Sequence, residues 1–267
     1  MLTIDWKERL TMDTISFFEN KLPKQNYDFE IIFNAYPARV NGKIPSEVIA
    51  FVAQVLLQKI GRNHEQYIPF FNYLWEKKGE YGKLAYLYIM NKLISKKTQI
   101  YFPLVEAAMK SAPAHDVMLI MDKIFLPLLK KKCADYLPIL LSWIEDPNET
   151  LRKQSLNLIL KFIKREPEQI PPVLSHFQKH WNYSTEKYPQ NQIQFLKALA
   201  KIDKDMYLSI YQENGSTREP QTVEILCGAI TATDTTLKPI IENWTHSGNA
   251  RVKKAALSAM KLLSRNK

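Results

Sequence analysis

Few residues in this chain combine reactive chemistry with suggestive spacing. The leading carboxylate is Asp116, within KSAPAHDVMLIMD (Lys110–Asp122), close to the predicted start of a helix. An aspartate so placed suits a helix's first turn, and it stands in the repeat region where other copies carry a cation. Asp122 is the weaker candidate; beside apolar Met121 it either flanks a core stripe or faces solvent. Glu145 and Asp146 precede Pro147, where an aspartate is ordinary turn chemistry. His176 and His180 lie four residues apart on a predicted helix, but no third ligand is near in sequence, so the pair does not call for a metal. No phosphate-binding glycine loop, dinucleotide fingerprint, zinc-finger spacing or HExxH motif occurs, and no cofactor is implied.

Cations are more abundant and better ordered. The chain has 37 Lys and Arg against 27 Asp and Glu, a net charge of +10 that favours polyanions, either nucleic acid or an acidic protein surface. Lys83, Arg152 and Lys253 fall in one column when the internal repeats are aligned, with Lys153 and Lys254 beside two of them. These positions lie near helix N-termini, where the macrodipole disfavours a cation. Their recurrence therefore points to an anionic ligand. Other basic groups, such as Lys96 with Lys97, Lys130 to Lys132, Lys164 with Arg165, and Arg265 with Lys267, fall at predicted helix C-termini, where the dipole itself favours them.

The elements that must hold these residues follow from a period. Pro69, Pro103, Pro138 and Pro171 stand 34, 35 and 33 residues apart, and Pro239 follows after 68. Around three of them the sequence nearly repeats, from Tyr67, Tyr136 and Leu237. A period of this size marks stacked helical pairs. Only seven glycines occur and no stretch alternates strictly, so the expected fold is all-α. Columns Leu87, Met121, Leu156, Leu257 and Met90, Ile124, Ile159, Met260 form the expected core stripe. Trp75, Trp143 and Trp244 are expected core anchors. Turns are expected at Lys78-Gly79, Asp146-Pro147-Asn148 and Ser247-Gly248-Asn249. The predicted architecture is one curved solenoid of HEAT-like repeats over 1–267, with atypical capping helices in 1–62 and repeats of about 34 residues in 63–267. The connection at Asn182–Gln190 breaks the period. Cys133 and Cys227 are expected to be reduced thiols, the charged start MLTIDWKER does not read as a signal peptide, and Val48–Leu57 is too short to span a bilayer. A cytoplasmic protein without membrane contact is the expectation.

Leu74-Trp75, Glu80-Tyr81 and Ala85, followed by Trp143-Ile144, Asn148 and Leu151, resemble the motifs of the HEAT-like-repeat DNA alkylation-repair glycosylases, the AlkD-like family, over about Pro69 to Lys204. The resemblance implies a basic concave face that grips duplex DNA and hydrolysis of the N-glycosidic bond of N3- or N7-alkylated purines. It implies a catalytic Asp at Asp116, after a one-residue shift, an Arg at Lys153 or Arg152, and a lesion-facing aromatic at Phe195. The family's other Trp falls on Ala112 or Pro113. Two further readings stand beside this one: a non-enzymatic scaffold holding an acidic partner, and RNA binding by the same face.

Overall fold

The computed structural model describes residues 5–22, 27–179, 181 and 189–264. It is all-α. Among these residues there is no strand, only an isolated bridge between Val40 and Lys43. The chain divides into two compact units, Met1–Lys131 and Lys132–Lys267.

In the first unit, α1 (Trp6–Phe18) and α2 (Ser46–Ile60) flank a 3-10 turn at Phe29–Phe33. The pair α3 (Ile68–Lys77) and α4 (Gly79–Lys96) follows, then α5 (Thr98–Ser111). The unit closes with α6 (Ala114–Ile120), a π turn at Met121–Phe125 and α7 (Leu126–Lys131). Helix α4 is central, packing on α2, α3, α5 and the π turn. The second unit holds α8 (Cys133–Trp143), α9 (Glu149–Arg165), α10 (Ile170–Lys179), α11 (Pro189–Ile202), α12 (Lys204–Asn214), α13 (Pro220–Ala229), α14 (Lys238–Thr245) and α15 (Ala250–Leu263). Here α9 packs on α11, α11 on α13 and α13 on α15, each odd-numbered helix covering the last.

The periodic prolines all lie in first helices. Pro69, Pro171 and Pro239 occupy first turns, where the missing N–H costs no hydrogen bond, while Pro103 and Pro138 lie inside α5 and α8. The repeated turns end on repeated caps. The Asn148 side chain accepts from Leu151 N, and Asn249, its counterpart, accepts from Arg251 N and Val252 N. Gly79 starts α4 at φ 72°, a conformation that suits glycine.

The core columns hold until the last described helix. Leu87, Met121, Leu156, Met90, Ile124 and Ile159 are buried, but Leu257 is 45% exposed and Met260 is only half-buried. Helices α9 and α15 share a register. Leu151, Ser155, Leu158 and Phe162 are buried, as are their counterparts Val252, Ala256, Ala259 and Leu263. They differ in Leu156 and Ile159, buried in α9, against Leu257 and Met260 in α15. Helix α9 is covered by α11. No described helix follows α15 to do the same. Trp143 and Trp244 are core residues as expected, whereas Trp75 is only half-buried.

Close approach of α3 and α4 depends on Gly82. A Cβ there would lie 2.7 Å from Lys78 Cβ and 2.8 Å from the Leu74 carbonyl oxygen. Lys78 cannot retreat easily, because it is buried with Nζ donating to Tyr27 O at 2.8 Å and lying 4.5 Å from the Tyr73 ring centre. Gly82→Ala should therefore force α3 from α4 and lower unfolding free energy by about 1–3 kcal/mol. Denaturant midpoints at constant m-value check this.

Candidate functional site

The α3–α4 pairing sets the position of Lys83, one residue beyond Gly82. Its ammonium donates to Asp116 Oδ2 at 2.5 Å and sits 5.4 Å from the centre of the Trp75 ring. Asp116, in the first turn of α6, is 5% exposed. Trp75 packs in turn against Tyr86, with ring centres 5.2 Å apart. A buried carboxylate, a cation and an indole are thus joined through one lysine. Lys83 and Asp116 border an open cleft of about 640 Å³ that also includes Lys43, Glu76, Lys77, Glu80 and His115. Lys43 pairs with Glu80 at 3.3 Å across its rim. The lining sets Lys43, Lys77 and Lys83 against Glu76, Glu80 and Asp116, two of the lysines being paired to carboxylates, and it can present a carboxylate to positive charge on a bound ligand.

Lys83 and Asp116 are 33 residues apart, nearly one period. Donors and acceptors pair at similar separations elsewhere. Lys97 bonds Glu65, and Asn91 Nδ2 donates to Lys123 O at 2.8 Å. An acid about one proline period after a cation was the signal that could have found this pair.

The other candidates scatter. Arg152 Nη1 donates to Asp146 O at 2.7 Å and reaches Pro147 O at 3.5 Å, so its guanidinium closes the turn before α9. Lys153 pairs with Glu149 at 2.5 Å and holds that carboxyl below the usual carboxylate range. The column of N-terminal cations therefore has local work at Lys83, Arg152 and Lys153, which explains part of its recurrence without a ligand. Lys253 and Lys254 stand exposed on α15. Phe195 is not at a surface: it is fully buried and stacked on Phe177 with ring centres 4.3 Å apart, because the α11 stripe turns it into the core. Asp122 is half-buried on the π turn. Ala112 and Pro113 provide no aromatic beside Asp116.

His176 lies 3.4 Å from Glu145, and His180, four residues on, lies outside the described residues, as do Asn182–Tyr188, Arg265 and Lys267. Among the described residues, no group of three or more His, Cys, Asp or Glu converges to hold a metal ion. Both cysteines are free, and burial pushes the Cys227 thiol up to about 12. No described helix is long and apolar enough to cross a membrane.

No family model matches the chain, and no curated protein or solved structure is significantly similar to it. Residue geometry therefore carries the functional reading.

Proposed function

We propose that this chain is a HEAT-like-repeat protein that binds duplex DNA and hydrolyses the N-glycosidic bond of N3- or N7-alkylated purines, with Asp116 as the catalytic carboxylate. The observation that carries the reading is a buried Asp116 held by Lys83 beside Trp75, at the edge of a lysine-bearing cleft. The first group of motifs resembling the alkylpurine glycosylases, Leu74-Trp75, Glu80-Tyr81 and Ala85, brackets Lys83. The successive packing of α9, α11, α13 and α15 supports the repeat reading.

In this mechanism the alkylated purine arrives already cationic. Its C1′–N9 bond breaks with the electron pair leaving on the base, which becomes neutral. Positive charge appears on the sugar, and the Asp116 carboxylate stabilises it. Water adds to C1′ and loses a proton to solvent. A DNA phosphate in the cleft competes with Asp116 for Lys83, so substrate binding exposes the carboxylate's charge to the sugar. Such preorganised electrostatic groups contribute about 10²–10³ in rate.

Duplex affinity measured across a salt series tests the binding step. A linear fall of log K with log salt is expected, and Lys253→Ala with Lys254→Ala should flatten the slope by about 0.9 for each phosphate no longer neutralised. Binding that ignores salt overturns the DNA reading. One observation favours a second reading, a scaffold for an acidic partner: Leu257 and Met260 lie open on α15 alongside exposed Lys253, Lys254 and Lys261. Salt-insensitive duplex behaviour would move the assignment there.

A further inference from the structure

A second open cleft in the first unit, not lined by Asp116, lies between α2, α4, the π turn and α7. Its volume is about 810 Å³, within the roughly 300–1,000 Å³ of small-molecule sites. Half-buried Phe51 and Tyr88 give it two aromatic surfaces. Lys92 and Lys96, one helical turn apart on α4, stand exposed at its edge. Lys123 adds a third cation, its Nζ 5.9 Å from the centre of the Tyr88 ring.

The wall carrying Lys123 departs from regular helix. At Met121–Phe125 the hydrogen bonds lengthen by one residue, Leu126 N donating to Met121 O, and Asn91 Nδ2 takes up the Lys123 carbonyl at 2.8 Å. The π turn brings the adjacent residues Asp122 and Lys123 both to the cavity. Such single-turn insertions in α-helices are frequent at functional sites. With its amide nitrogen committed to Lys123 O, Asn91 keeps its Oδ1 as an acceptor, and Glu47 on α2 is another.

These groups match one ligand chemistry. Aromatic faces stack on a base, a pair of lysines suits a phosphate, and an amide oxygen with a carboxylate accepts from an exocyclic amine. An inorganic anion would leave the aromatic surface unused. We propose that this cavity binds an amine-bearing purine nucleoside monophosphate, supplied either free or as an unpaired nucleotide of a DNA strand. The site does not depend on hydrolysis at Asp116.

The test uses the full chain and a 2-aminopurine nucleoside 5′-monophosphate, whose fluorescence is quenched by stacking. A single-stranded oligonucleotide carrying one 2-aminopurine is titrated in parallel. Saturable quenching is expected. Tyr88→Ala should weaken binding at least tenfold, and Tyr88→Phe should change it less than twofold, since the ring remains. Lys92→Ala with Lys96→Ala should also weaken it at least tenfold, while inorganic phosphate should compete poorly. Equal affinity for the two probes identifies a free nucleotide as the ligand, and tenfold tighter oligonucleotide binding identifies a strand. Asp116→Asn should leave quenching intact, so failure at the hydrolytic site and failure here are distinguishable. No quenching by either probe, or equal quenching in folded Tyr88→Ala and Lys92→Ala/Lys96→Ala proteins, overturns the proposal.

Discussion

Asp116→Asn should retain duplex affinity within about twofold while release of alkylated purine falls by about 10²–10³. Asparagine keeps the shape of the side chain and an oxygen that can accept from Lys83, so α6 and the cleft survive. It removes the negative charge that opposes charge on the sugar. A purely structural Asp116 would behave otherwise, with stability falling and any release unaffected after correction for folded fraction. Purine release quantified under single-turnover conditions, alongside duplex binding by the same preparations, separates the two roles.

Lys83→Met should have the largest effect on stability. Asp116 has 8% of its side chain exposed and Lys83 has 32%, so removing the lysine leaves a mostly buried carboxylate without its ammonium. Loss of one partner from such a pair costs more than the pair is worth, here about 2–3 kcal/mol because Lys83 is partly solvated. Trp75 also loses the cation beside its ring. The double variant Lys83→Met with Asp116→Leu should recover most of the loss, since no buried charge is then stranded. Urea midpoints for the four proteins form a double-mutant cycle, and additive effects would mean that the ion pair makes no coupled contribution.

Much of the all-α architecture is legible because an amphipathic helix writes its burial pattern into the spacing of its apolar residues. Leu87, Met90, Leu156 and Ile159 repeat in sequence and are buried in the structure. Periodicity reports which face of a helix is apolar, but not whether anything lies against that face. Leu257 and Met260 have the right types at the right register, yet Leu257 is exposed and Met260 only half-buried. Phe195 shows the converse. Alignment placed an aromatic at a functional position, yet side-chain direction along α11 stacks it on Phe177 within the core.

The site was legible only in part. Asp116 was visible as a carboxylate at a helix start and Lys83 as a member of a cationic column, but their meeting requires α4 and α6 to come together in the fold. Sequence also overstated the column as a ligand surface, because neither the carbonyls that receive Arg152 nor the carboxylate beside Lys153 is evident from charge alone. Buried Lys78, facing Tyr73 and the Tyr27 carbonyl, gave no sign in composition, since nothing local marks a lysine that folds inward.

The most direct test is release of free 7-methylguanine or 3-methyladenine from methylated duplex DNA by the wild-type chain, followed by chromatography with enzyme in excess. The account predicts free base together with one abasic site per base released, at a rate above that of DNA alone. Unchanged methylated DNA, in a preparation shown to be folded and to bind the duplex, would contradict it.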